Sequence, residues 1–199
     1  MSSLMPEVPD SRYAPIPQKK YHCVPACLQM ILTKHELHVP SQDEIGYNLG
    51  VIVPSDEAGN FDPVRVGIEP DGCHGTHLEK PEYDFNTVAR ALGWGVKMTC
   101  RSPDNFTTSE SLLDYLTQAE EADKDVILCY DFPALYENGS GGHTNLFDRV
   151  RPEGIRVIEP IEIAARPNYL WRTQDPTELL TAMQVHADYM GGTWEIELT

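Results

Sequence analysis

The chain has 199 residues, 41% of them apolar, which is enough for one domain with a substantial core. Lys and Arg total 15 against 31 Asp and Glu, and the formal net charge of -16 repels nucleic acid and anionic lipid. No nucleic acid or membrane partner is therefore expected, while an amine-bearing one would be tolerated. The N-terminal "MSSLMPEVPDSRYAPIPQ" has no basic start followed by an apolar run, and no 18 consecutive residues are apolar, so a cytoplasmic location is the expectation.

Residues 1–17, with Pro6, Pro9, Pro15 and Pro17, read as an extended arm ahead of a single domain over 18–199. Val24, Cys27, Leu28, Ile31 and Leu32 then follow the spacing of a core-packed helix. Pro25 is compatible only with its first turn, which sets the helix start at about Cys23. Ser41 and Glu44 have capping-box spacing and predict a short helix through "DEIGYNLG". Residues 51–82 show no sustained period and read as a loop insertion, a length that usually signals function or disorder.

The stretch "YDFNTVARALGWGVKMTC" predicts a helix ending at Gly93 and a strand from Val96 to Cys100. Thr107 and Glu110 suggest a capping box for the helix carrying Leu112, Leu113, Leu116 and Ala119. "DVILCY" is a buried-strand run, and "HTNLFDRV" and "IRVIEP" read as a strand pair about the turn "RPEG". Asp175, Pro176 and Glu178 start a helix reaching about His186, and "GTWEIEL" forms a last strand. Helices come first and strands follow, the pattern of an α+β domain.

Five cysteines, Cys23, Cys27, Cys73, Cys100 and Cys129, make an odd number, and all are read as thiols. Cys23 is distinct because a helix N-terminus stabilises a thiolate through its free N–H groups and dipole. Cys27, Cys100 and Cys129 lie on apolar helix or strand positions and read as buried packing thiols. A thiolate nucleophile needs a base, and His143 opens a strand directly after "GSGG", where it can face a cleft from a rigid backbone. Glu159 ends the next strand at hairpin distance, placed to accept the imidazole Nδ1–H; Asp148 is its rival. Gln18 and the Cys23 backbone N–H are candidate oxyanion donors. His22, beside Cys23, either tunes the thiol or is solvated.

Gln18, then "CVPACLQMIL", then Gly-His opening a strand and an acidic residue followed by Pro160, resembles the papain-like cysteine peptidases that trim bacteriocin leader peptides and their stand-alone relatives. The resemblance runs from residue 18 to 160. It implies a papain-like fold with Cys23 as nucleophile, His143 as base, Glu159 as the orienting residue and Gln18 in the oxyanion hole. Here Val24 follows the nucleophile where the family usually has Gly, Gln18 is five rather than six residues upstream, and Glu159 replaces the typical Asp or Asn. These differences suggest a branch acting on something other than a bacteriocin precursor.

The expectation is a Cys-His-Glu enzyme forming a covalent acyl-enzyme at a peptide, amide or thioester carbonyl, most simply as a peptidase. The alternatives are an amide-forming acyltransferase on a small-molecule or peptide substrate, and a catalytically silent peptide-binding module, against which retention of Cys23 and His143 speaks. No cofactor is called for. "DGCHGTH" places Cys73, His74 and His77 in the loop without paired Cys-x-x-Cys spacing, and "HELH" is one residue short of His-Glu-x-x-His, so no metal site is expected.

Overall fold

The computed structural model describes residues 10–67, 74–136, 141–161 and 170–199. Cys73, and with it the middle of the 51–82 loop, lies outside the described residues.

Helix α1 spans Cys23–Lys34 and buries Val24, Cys27, Leu28, Ile31 and Leu32, the stripe legible in the sequence. Helix α2, Gln42–Asn48, begins in the Ser41/Glu44 capping box. The loop that follows holds two short parallel strands, β1 (Ile52–Val53) and β2 (Arg65–Val66). Helix α3, Phe85–Leu92, ends at Gly93, whose φ of 67° is the left-handed conformation a helix stop uses. Strand β3 is Val96–Arg101 and helix α4 is Ser109–Glu121. The cap of α4 is Thr108 with Ser111, one residue later than expected from Thr107 and Glu110: the run "TTSE" offers two candidate boxes, and Ser111 reaches back to the Thr108 backbone.

Strand β4 (Asp125–Asp131) passes into a short turn of helix, α5 (Phe132–Leu135). Strands β5 (Gly142–Arg151) and β6 (Gly154–Ile158) form the expected hairpin. Strand β7 (Trp171–Gln174) has no alternating pattern of its own and exists by pairing with β6. Helix α6, Pro176–Val185, is capped by Asp175, and β8 is Gly192–Leu198.

Six strands form one antiparallel sheet in the order β3-β8-β4-β5-β6-β7. Its central strand β4 is buried on both faces, which is why "DVILCY" is a continuous apolar run. Ile127, Cys129, Leu146 and Ile158 face α1 and α3; Val126, Leu128, Tyr130, Phe147 and Val157 face α4 and α6. Cys100 is exposed, contrary to the packing role expected of it, because β3 is an edge strand whose last three residues have lost their cover.

The described part of the N-terminal arm, residues 10–17, is irregular but tied down. Asp148, fully buried, accepts the Arg12 N–H at 2.8 Å and the Ser11 hydroxyl at 3.2 Å, and its other oxygen takes Arg156 at 2.6 Å. Tyr13 enters the core and donates its hydroxyl to Asp125 at 2.7 Å. The arm then leads to Gln18, whose backbone N–H donates to Pro160 O at 2.9 Å.

Candidate active site

Cys23 is the first residue of α1 and is half-buried. The chain turns into the helix through a bond from His22 N–H to Lys19 O at 3.0 Å, with Tyr21 at φ 69°. No side chain caps this helix start and no acidic residue occupies its first turn. Its N–H groups therefore keep their capacity to stabilise negative charge at Cys23.

His143 approaches from β5. Packing of α1 against β5 brings the thiol to the imidazole across 120 residues of sequence. Burial alone would raise the Cys23 thiol; the hydrogen bond and charge of His143, with the hydroxyl and backbone N–H of Thr144, bring it below its ordinary value. The opposite holds at His143. Burial would lower the imidazole, but the Glu159 carboxylate and the Cys23 sulfur together raise it.

Glu159, directly after β6, has no solvent exposure and meets His143 Nε2 through Oε1 at 2.5 Å. The carboxylate thus engages Nε2 and not Nδ1 as the sequence suggested, which leaves Nδ1 for the thiol. The reason is the approach: β6 pairs along β5 and delivers Glu159 to the ring's far edge. Burial would raise the Glu159 carboxyl, and the charge and hydrogen bond of His143, with the Ile161 N–H at 3.1 Å, hold it below the ordinary range. Opposite shifts on two touching groups describe an ion pair made inside the protein.

Sequence reasoning did not reach the shell around this pair. Tyr130 faces His143 across the β4–β5 register, its hydroxyl donates to Glu159 Oε2 at 3.3 Å, and Asn145 Nδ2 donates to Tyr130 at 3.0 Å. The rings of Tyr130 and Phe132 meet the imidazole edge-on at 5.7 and 5.0 Å. The aromatic at the end of the "DVILCY" run was the available signal.

Gln18 is beside the site through its bond to Pro160, the residue after Glu159. Its Oε1 is buried without a hydrogen-bond partner among the described residues. Asp148, the rival to Glu159, is wholly engaged by the arm and Arg156. His22 is buried and not solvated: its ring stacks on Phe61 at 5.1 Å, and Nδ1 donates to Lys20 O at 2.6 Å. His35, from "HELH", pairs with Asp125 at 2.5 Å, and His77 with Glu79 at 3.1 Å. Among the described residues no three His, Cys, Asp or Glu side chains form a metal-binding group, and no helix is long and apolar enough to cross a membrane.

No protein-family model matches the chain, and no curated protein matches its sequence. Among solved structures it is similar to the crystal structure of a "putative C39-like peptidase from Bacillus anthracis", with a TM-score of 0.54 over 93% of this chain and 94% of that one. At 12% identity the likeness is one of fold. The fold is papain-like. Its N-terminal helices pack on an antiparallel six-stranded sheet, and Cys23 and His143 are carried on those two parts.

Proposed function

We propose that the protein is a thiol enzyme acting at a peptide, amide or thioester carbonyl through a covalent acyl-enzyme. The observation that carries this is the buried His143–Glu159 pair facing a cysteine at an uncapped helix start. In this reading His143 holds the Cys23 proton, the thiolate attacks the carbonyl carbon, and the tetrahedral oxyanion forms beside the first N–H groups of α1 and Gln18. The tetrahedral state then collapses: the bond from the carbonyl carbon to the leaving group breaks as His143 protonates it, and Cys23 holds the acyl group as a thioester. Water attacks the thioester carbonyl carbon as its proton passes to His143, the C–S bond breaks, and the acid product leaves with the Cys23 thiolate and His143 imidazolium restored. The papain-like fold supports a peptidase-like course, and the surplus of acidic residues favours an amine-bearing substrate.

The test is a panel of peptide aryl esters and thioesters followed by intact-mass spectrometry. Wild type is expected to gain one acyl group at Cys23, and Cys23→Ala none. Acyl transfer would show as the adduct passing to an added amine in preference to water. Acylation that is equal in Cys23→Ala, or absent with every ester of the panel, would end the proposal.

A further inference from the structure

The backbone around Gln18 is held from two directions. Its own N–H donates to Pro160 O at 2.9 Å, from the segment that follows Glu159. The other hold is a single side chain, the amide of Gln42, which is the first residue of α2 and 8% exposed. Gln42 Nε2 donates to Pro17 O at 2.9 Å, and Gln42 Oε1 accepts the Lys19 N–H at 2.7 Å. A backbone carbonyl only accepts and a backbone N–H only donates, so the Gln42 amide has one possible orientation. Pro17 O, the Gln18 N–H and the Lys19 N–H are three of the four polar groups in the two peptides that flank Gln18. Fixing those planar units fixes the φ and ψ between them, and with them the direction in which the Gln18 side chain leaves the chain. That side chain is not anchored at its own end, since its buried Oε1 has no hydrogen-bond partner among the described residues. Its place therefore depends on the backbone that carries it.

We propose that Gln42 is a positioning residue, which clamps the chain on both sides of Gln18 and so aims the Gln18 amide at the oxyanion. This rests on the thiol-enzyme reading above, in which Gln18 serves the tetrahedral state. Lys19 O also accepts the His22 N–H at 3.0 Å at the turn into α1, so the test has to separate an effect on Gln18 from one on Cys23. Gln42→Met keeps an unbranched side chain of similar length and removes both bonds.

The experiment compares two rates in the full chain: acylation of Cys23 by an aryl ester, and its alkylation by iodoacetamide, resolved at Cys23 by peptide mass spectrometry. Gln42→Met is expected to slow acylation about tenfold or more, because a misplaced oxyanion donor loses much of its effect, while alkylation stays at the wild-type rate. In the Gln18→Ala background the same substitution should slow acylation no further, since a residue that acts through Gln18 has nothing left to act on. Wild-type acylation in Gln42→Met, equal slowing of acylation and alkylation, or a full additive loss in the double variant would each overturn the proposal while leaving the nucleophile intact. If Gln42→Met does not fold, Gln42→Glu keeps the acceptor for Lys19 and loses the donor to Pro17; acylation by that variant at the wild-type rate would overturn the proposal. A wild-type protein that no ester acylates would overturn this proposal and the reading beneath it together.

Discussion

Replacing Glu159 by Gln keeps the shape of a fully buried side chain and removes its charge. In the native protein the carboxylate meets His143 Nε2 at 2.5 Å and accepts from Tyr130 at 3.3 Å and Ile161 at 3.1 Å. Removing one member of a buried ion pair costs about 3–5 kcal/mol when the other stays charged. The imidazole relieves that cost by giving up its proton, and at about 1.4 kcal/mol per pKa unit, 3 kcal/mol is about two units of lowered His143 basicity. Proton transfer from Cys23 to His143 becomes less favourable by the same two units, a factor on the order of 100 in its equilibrium constant. Ring nitrogen NMR reads the first event directly, as a His143 midpoint raised to about 10 in wild type that falls by about two units in Glu159→Gln. Stability gives a second reading. Glu159 is shifted down, so its contribution is present above its ordinary 4.5 and fades as pH falls through the lower folded value; His143 is shifted up, so its contribution is full below its ordinary 6.5 and fades as pH rises through the higher folded value. Urea unfolding should show the largest wild-type advantage between about pH 4.5 and 6.5. A His143 midpoint that is the same in both proteins would refute the reasoning.

Three further outcomes follow from single contacts. A Cβ at Gly46 would meet the His22 ring at 2.7 Å, and His22 is pinned by Phe61; Gly46→Ala should therefore destabilise by about 1–3 kcal/mol in urea melts despite a gain in helix propensity. Asn86 closes the free edge of β3, accepting the Met98 N–H at 2.7 Å and donating to Met98 O at 2.9 Å, so Asn86→Ala should lose about 1–2 kcal/mol and show concentration-dependent association in sedimentation. Gln18→Ala should slow acylation by an aryl ester about 100-fold with Cys23 alkylation unchanged, since an oxyanion donor acts on the tetrahedral state and not on the resting thiol.

How far the sequence reached depended on the range of the forces involved. Helix α1 and the β5–β6 hairpin were legible because spacing and turn chemistry are local. Cys23, His143 and Glu159 could be ordered along the chain, and the structure brings all three together; the engaged nitrogen of His143 could not be read, since it is set by the direction from which β6 arrives. Strand β7 is held by pairing alone and left no pattern. The sequence leaves His22 either tuning the thiol or solvated, and Phe61, from a loop without periodicity, stacks on its buried ring. Cys100 looked packed because its strand is apolar, but only its position at the sheet edge decides its exposure.

The central claim, that Cys23 rests as a thiolate paired with the His143 imidazolium, is tested most directly by the ultraviolet absorbance of the thiolate in wild type minus Cys23→Ser. Below the pH at which a free cysteine ionises, the difference should already show a thiolate. A difference spectrum that stays flat until the pH of a free cysteine would contradict it.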